Sequence, residues 1–229
     1  MPRIRFYGHA CFRLEHDGTQ VLIDPFLTGN PFVPGMPADM KPTTILVTHG
    51  HYDHLGDAVE LAKQHGATIL ATPELAGYCA RQGAAAEGAH MGGTARFSWG
   101  SAKLVPAFHS SSAGPNLDIY VGNPVGFVVR FFGVTFYHPG DTCLFGDMRL
   151  IGESSAIDVV YLPIGGLYTM DMDDALKAVQ FLQPRVVIPG HYNTFPAIAV
   201  DAAGFKARVE ATTSARCVIL QPGEAYEVG

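Results

Sequence analysis

The chain has 229 residues, of which 48% are hydrophobic and 16% charged, so it is a globular protein long enough to bury a substantial core. Its formal net charge of −6, with no cluster of Lys or Arg, argues against a nucleic-acid-binding protein, because phosphate neutralisation requires grouped cations. We expect a single domain over residues 1–229.

The first residues, Met1–Phe6, lack the apolar stretch of a signal peptide, and no segment is apolar enough to span a bilayer. We therefore expect a cytoplasmic protein with no membrane partner. The cysteines are widely spaced, which favours reduced thiols over a zinc knuckle or a redox pair. They are Cys11, Cys79, Cys143 and Cys217.

The N-terminal part of the chain is predicted to be β-structure. Short β-prone runs indicate strands at residues 4–7, 11–15 and 20–23, and Asp17-Gly18 is typical of a hairpin turn. His9 and Asp24 lie at the ends of these strands. The Pro- and Gly-rich stretch 25–42 is predicted to be a long ordered loop beside the site.

The most informative stretch is Thr-His-Gly-His-Tyr-Asp-His at residues 48–54, directly after an apolar strand. Alternate residues of an extended chain point to the same side, so His49 and His51 can bind one metal ion together. Asp53 and His54 follow in the turn and can face a second ion. Chance clustering of surface histidines is the alternative, and the density of metal-capable side chains between a strand and a helix argues against it.

The rest of the chain is predicted to alternate between strands and helices. Helices are predicted at 55–65, 73–82, 170–183 and 201–210, with Gly66 and Pro184 as stop signals. Strands are predicted at 45–47, 67–71, 126–132, 134–137, 159–163, 185–188, 217–220 and 225–228, and two more within 96–108 that turn at Gly100-Ser101. The stretch 110–124 is predicted to be a loop.

Three more metal-capable side chains follow predicted strands: His109, Asp141 and His191. A sheet brings successive strand ends to a common edge, so these residues can join the 48–54 cluster. The number of potential ligands suits two metal ions. The first would take His49, His51 and His109, the second would take Asp53, His54 and His191, and Asp141 would bridge them. Imidazole and carboxylate suit zinc, iron or manganese.

These motifs resemble those of the metallo-β-lactamase fold superfamily: the 48–54 signature, then His109, Gly140-Asp141-Thr142 and Gly190-His191 in the same order. More closely, the chain resembles uncharacterised metal-dependent hydrolases related to the ascorbate-phosphate lactonases. The segments that carry this closer resemblance are 8–12, 23–25, 122–124, 139–142, 162–166 and 191–196. The resemblance implies an α/β fold, a four-layer αββα sandwich with the metals at one edge, and the same division of ligands.

We therefore expect a metal-dependent hydrolase with two divalent ions, zinc first and manganese or iron as alternatives. A metal-bridging hydroxide would attack a small-molecule lactone, ester or phosphoester. Asp53 is predicted to relay a proton, and Tyr192, beside His191, to donate a hydrogen bond to the developing oxyanion.

An iron-dependent oxidoreductase on the same fold is the main alternative, because His and Asp also suit iron. A nuclease is disfavoured by the acidic charge balance. The sequence leaves open the substrate, the native metal, whether the chain forms a homo-oligomer, and the roles of His9, Asp24 and His138.

Overall fold

The computed structural model describes residues 1–229. Its strands are β1 (Arg3–Phe6), β2 (Phe12–His16), β3 (Thr19–Ile23), β4 (Thr44–Leu46), β5 (Thr68–Ala71), β6 (Ala85–Gly88), β7 (Thr94–Phe97), β8 (Gly100–Pro106), β9 (Ser112–Ala113), β10 (Ile119–Tyr120), β11 (Val125–Phe131), β12 (Val134–His138), β13 (Val159–Pro163), β14 (Val186–Gly190), β15 (Arg216–Cys217) and β16 (Ala225–Glu227). Its helices are α1 (Tyr52–Leu55), α2 (Ala58–His65), α3 (Pro73–Arg81), α4 (Met148–Ser154), α5 (Met172–Leu182) and α6 (Ala202–Thr212), with a 3-10 turn at Pro196–Ile198.

Two seven-stranded sheets carry the fold, in the orders β16-β1-β2-β3-β4-β5-β6 and β15-β14-β13-β12-β11-β8-β7. Strands β3 to β6 are mutually parallel, as are β12 to β15. Strand β1 runs in the direction of β3, because both are antiparallel to β2, and β8 runs with β12, because both are antiparallel to β11. The carboxyl ends of β1, β3 and β4 therefore share one edge of the first sheet, and those of β8, β12 and β14 share one edge of the second.

The hydrophobic core is divided into three layers. The central cluster joins the inner faces of the two sheets, with Phe12 from the first sheet and Phe127 from the second. A second cluster packs Leu61 and Leu75 of α2 and α3 on the outer face of the first sheet. A third packs α4, α5 and α6, through residues such as Phe205, on the outer face of the second. The layers follow the order helix, sheet, sheet, helix, which confirms the predicted αββα sandwich.

Apolar runs in the sequence become strands covered on both faces. Every residue of β13 and β14 is buried, because the central cluster lies on one face and helices lie on the other. This is the usual position of a continuous apolar strand in a parallel sheet. No helix has the length and apolar character that crossing a membrane would need. All four cysteines are free.

The predicted helix 55–65 is wrong in its start, because the structure has two helices, α1 and α2, separated at Gly56. This residue has φ 41°, in the left-handed region. A Cβ there would collide with the carbonyl group of Pro25 in the loop after β3. The break places α1 inside the histidine cluster, so that Asp53 and His54 sit on its single turn.

Three other elements differ from the prediction. Strand β6 was not predicted, since Ala85-Ala86-Glu87-Gly88 has no β-branched residue, and it forms by parallel pairing with β5. The stretch 110–124 contains the short β9–β10 hairpin. The hairpin between β7 and β8 turns at Ser98-Trp99, before Gly100 rather than at it.

Candidate metal centre

All seven residues predicted as metal ligands lie at the edge where the site-bearing strands end. Residues 48–54 follow β4, His109 follows β8, Asp141 follows β12, and His191 follows β14 directly. Their potential ligand atoms form three overlapping groups, each with all members within 4.8 Å of one another. The groups are His49, His51 and His109; His49, His54 and Asp141; and His9, Asp53, His54 and His191. The structure thus brings His9, which was not predicted as a ligand, to the same edge.

The first group is held by the extended chain after β4. His49 Nε2 and His51 Nδ1 are 3.1 Å apart, and the His109 ring lies 5.2 Å and 5.0 Å from these two rings between centroids. The other nitrogen of His51 lies 3.3 Å from Ser110 Oγ. In the tautomer in which it donates to this hydroxyl, Nδ1 is free, and both imidazoles direct an unprotonated nitrogen to the same point.

Asp141 joins the two predicted ligand sets. Its Oδ1 lies 3.2 Å from His54 Nε2, and its Oδ2 lies 3.0 Å from His191 Nε2 and 3.7 Å from His109 Nε2. One carboxylate thus touches histidines from both sets. This is the position that a bridging ligand requires.

Asp24 fixes the orientation of two of the imidazoles. His54 Nδ1–H donates to Asp24 Oδ2 over 2.7 Å. The Thr48 hydroxyl and backbone N–H donate to the same carboxylate over 2.7 Å and 2.8 Å. The Thr48 hydroxyl in turn accepts from His49 Nδ1–H over 2.9 Å. Because Nδ1 carries the proton in both histidines, Nε2 is left free for a metal.

His9 performs the corresponding task for Asp53. Its Nε2–H donates to Asp53 Oδ2 over 3.0 Å, and its Nδ1 accepts from the Thr194 hydroxyl over 2.9 Å. Burial, with help from neighbouring His191, lowers the pKa of His9 to about 4, so the ring is neutral at physiological pH. The role of His9 was left open by the sequence, and the structure places its ring against the carboxylate of a predicted ligand.

The backbone around the site is held in unusual conformations. His9, Asp24 and His191 have φ values of 58°, 46° and 51°, in the left-handed region that non-glycine residues seldom adopt. The backbone N–H of His191 donates to the His9 carbonyl over 2.7 Å, which ties the two strand ends together. Clusters of such residues are typical of functional sites, where surrounding contacts impose the geometry.

His138 supports the turn that carries Asp141. Its Nε2–H donates to the Ala10 carbonyl over 2.9 Å, and its Nδ1 accepts from the Gly140 N–H over 3.2 Å. Both nitrogens are therefore occupied within the protein. Gly140 has φ 65°, and a Cβ there would lie 2.9 Å from Thr48 Cβ, so the turn needs glycine to approach the histidine cluster.

The chemistry of this cluster fits divalent ions. Nε2 of His54, Oδ1 of Asp141 and both ring nitrogens of His191 are buried and have no hydrogen-bond partner. Two ligand atoms bound to one tetrahedral zinc lie roughly 3.3 Å apart, close to the nitrogen–nitrogen and nitrogen–oxygen separations of 3.0 to 3.2 Å seen here. Unpaired buried polar atoms at these distances are the arrangement that a bound cation satisfies.

The directions of the pKa shifts of Asp141 and His54 also fit a cation site. Burial opposes ionisation of Asp141, but His191 and His54 outweigh it and hold its pKa well below the ordinary value. Burial likewise disfavours the charged form of His54, but Asp141 and Asp24 outweigh it and raise its pKa well above the ordinary value. The two carboxylates thus favour a positive charge between them, which a metal ion bound at this point would supply.

A cavity of about 470 Å³ opens onto the cluster. It is lined by His51, Tyr52, Asp53, His109, Ser110, Leu117, Asp141, Tyr168, His191 and Phe195. Tyr168 and Phe195 supply aromatic surface to this lining. Tyr52, Ser110 and Leu117 were not singled out, although Tyr52 lies within the signature itself.

The structure does not bring Tyr192 to this cavity. Its side chain packs against the hydrophobic cluster under α5 and α6, and burial, together with nearby Cys217, raises the pKa of its phenol. The tyrosines on the cavity wall are Tyr52 and Tyr168. Adjacency to His191 in sequence did not give adjacency in space, because successive side chains leave the backbone in different directions.

A four-layer αββα sandwich with this set of His and Asp residues at one sheet edge defines a class of metalloprotein. A family model described as a beta-lactamase superfamily domain matches residues 3–191, and the chain belongs to this superfamily, the metallo-β-lactamases. Within it, the chain is a metal-dependent hydrolase.

The chain's relatives carry that description in their names. A UPF0173 metal-dependent hydrolase of Pelotomaculum thermopropionicum is 49% identical over 228 residues, covering 99% of this chain and 100% of the relative. One from Archaeoglobus fulgidus is 48% identical over 228 residues and covers 98% of both chains.

A solved structure agrees with the fold. Igni18, a metallo hydrolase from the archaeon Ignicoccus hospitalis, superimposes with a TM-score of 0.89 at 38% identity, and the match covers 99% of this chain and 98% of that one. These similarities establish the superfamily and the metal-dependent hydrolase class. The relation to ascorbate-phosphate lactonases stays a prediction.

Proposed function

We propose that this hydrolase is dinuclear and acts on a small-molecule lactone, ester or phosphoester. The observation that carries the proposal is the position of Asp141, which lies within 3.7 Å of histidines from both predicted ligand sets. In this assignment His49, His51 and His109 hold one ion, and Asp53, His54 and His191 hold the other. Zinc suits this donor set best, with manganese and iron as alternatives.

Two divalent ions at this site would supply a water acidic enough to attack at neutral pH and a Lewis acid for the substrate's carbonyl or phosphoryl oxygen. The protein's own residues then have separate tasks. Asp24, acting directly on His54 and through Thr48 on His49, keeps the ligand nitrogens unprotonated and aimed at the site. His9 anchors one oxygen of Asp53.

Asp53 is the residue of this chain best placed to take up a proton. It lines the cavity, and only its Oδ2 is held by His9, so Oδ1 remains available. Burial opposes its ionisation, but the hydrogen bond from His9 and the nearby imidazoles lower its pKa to about 2. An ionised carboxylate is the state that both a ligand and a proton acceptor require.

A depletion and reconstitution experiment tests this function. Protein stripped with a chelator should lose hydrolysis of lactones, 4-nitrophenyl carboxylic esters and bis(4-nitrophenyl) phosphate, and zinc or manganese should restore turnover of at least one class. Activity should rise until two equivalents are bound, since both ions act on one substrate.

Two results would contradict the proposal. Hydrolysis that survives complete metal removal would exclude a metal-dependent reaction. Activity that returns only with iron, together with oxygen consumption and no hydrolysis, would instead support the oxidoreductase.

A further inference from the structure

The loops around the cavity contain no lysine or arginine. The segments that meet at this edge are residues 7–11, 24–32, 47–57, 107–124, 139–147, 164–171 and 191–201, and none of the 15 basic residues of the chain lies in them. The basic side chains lie instead on strands, on helices and at other loop positions. Lys41, at the end of the long loop, is tied by its backbone to Gln20 near the start of β3, away from the site.

The walls of the cavity are apolar and aromatic. Leu117, Tyr52 and Tyr168 line it while remaining 46%, 60% and 54% exposed, and neighbouring Leu167 is 66% exposed. Large apolar side chains grouped at the mouth of a site are unusual on a free surface and typical of a place that a ligand covers. Phe195 completes this wall and packs edge-on against His9, with 5.6 Å between ring centroids.

The metal centre and the wall of the cavity would contact different parts of a substrate. The reacting group would bind at the metal ions. The carboxylates Asp53 and Asp141 neutralise only part of the charge of these ions, so the site can accept an anionic reacting group. An anionic substituent elsewhere on the substrate would meet no counter-charge, because the wall has no basic side chain.

We infer that the part of the substrate outside the reacting group carries no anionic group and is largely apolar, and that it packs on the wall formed by Leu117, Tyr52, Tyr168 and Phe195. This inference rests on the proposed hydrolytic function and narrows it. It favours esters or lactones with alkyl or aryl substituents over nucleotides, sugar phosphates and other substrates with a second anionic group.

Substrates that differ only in remote charge test the inference. Metal-loaded protein would be assayed with 4-carbamoylphenyl butyrate and 4-carboxyphenyl butyrate, which share the reacting ester and differ by an amide against a carboxylate. We expect kcat/KM, divided by each ester's rate of alkaline hydrolysis to correct for the leaving group, to favour the uncharged ester by about tenfold or more, since desolvating an unpaired anion on an apolar wall is unfavourable.

A variant pair tests whether the substituent lies on this wall. Leu117→Lys introduces a cation of similar length, and Leu117→Met is the uncharged control. The preference for the amide over the carboxylate should fall about tenfold in Leu117→Lys and keep its wild-type ratio in Leu117→Met.

Binding gives a measurement independent of turnover. Metal-free wild type, Leu117→Lys and Leu117→Met would be titrated by calorimetry with 4-butoxybenzamide and 4-butoxybenzoate, which are not ester substrates. The amide should bind more tightly than the carboxylate to the wild type and to Leu117→Met. This preference should be weaker in Leu117→Lys.

The possible failures are distinct. Equal or better hydrolysis of the carboxylate ester by wild type would overturn the inference and leave the hydrolase standing. An unchanged preference in Leu117→Lys, in both turnover and binding, would likewise overturn the assignment of the wall. If no ester, lactone or phosphoester were hydrolysed by protein that holds its metals, the proposed function would fall and this inference with it.

Discussion

Replacement of Asp141 by asparagine should abolish detectable hydrolysis, with kcat lowered at least about a thousandfold. Asp141 approaches His54, His109 and His191 at 3.2, 3.7 and 3.0 Å, so both proposed ions depend on it. Asparagine keeps the size but removes the charge. Losing a shared ligand removes several kcal/mol of transition-state stabilisation, and each 1.36 kcal/mol is a factor of ten in rate.

The measurement is kcat together with metal content per chain, which should fall below that of the wild type. Asp174→Asn is the matched control, because this carboxylate lies on α5 outside the cluster. Circular dichroism would show that both variants are folded. Wild-type turnover and metal content in Asp141→Asn would contradict the bridging role.

Replacement of Asp24 by asparagine should weaken the binding of both ions by about 10- to 100-fold, the usual cost of losing a residue that orients metal ligands. The Asp24 side chain accepts three hydrogen bonds, from His54 Nδ1 and from the hydroxyl and N–H of Thr48. In asparagine, an N–H₂ group replaces one carboxylate oxygen, and it cannot accept a hydrogen bond from His54 or Thr48. The tautomers of His54 and His49 would then no longer be fixed.

Competition with a chromogenic chelator measures this effect for each ion. Asp57→Asn provides a matched control, because Asp57 is also a carboxylate at this edge. Its Oδ2 accepts hydrogen bonds from the backbone N–H groups of Leu27 and Thr28, and not from a metal ligand. Its metal affinity should change by less than about twofold, while its stability falls. Equal losses of affinity in both variants would show that Asp24 acts only through the stability of the fold.

The sequence predicts the composition of the metal cluster well because its residues are placed by strand ends. Each of His49, Asp141 and His191 follows a strand within three residues, so the strand brings that side chain to the sheet edge. Parallel strand directions then bring the ends together. The buried, continuous apolar runs that become β13 and β14 are equally easy to read from the chain.

Features that depend on long-range contacts were not predictable. His9 lies 44 residues from Asp53 in sequence, and only the sheet order β1-β2-β3-β4 brings the turn after β1 and the segment after β4 together. Strand β6 has a sequence without β preference and exists because β5 offers it an edge. The break at Gly56 depends on the loop after β3, whose Pro25 carbonyl accepts the backbone N–H of Asp57.

Side-chain direction in loops was the other limit. Tyr192 follows a predicted ligand, yet it packs into the core cluster, whereas Tyr52 and Leu117 line the cavity. A loop lacks the regular period of a strand or helix, so sequence neighbours give no guide to which side chain faces the site.

The number of metal ions per chain is the quantity on which the proposed mechanism depends most. Elemental analysis should use protein purified without a chelator or a metal-binding tag, from cells supplied with zinc, manganese and iron. We expect two ions per wild-type chain and one in His51→Ala, since that variant removes a ligand of a single ion. One ion in the wild type, or two ions retained in His51→Ala, would contradict the dinuclear assignment.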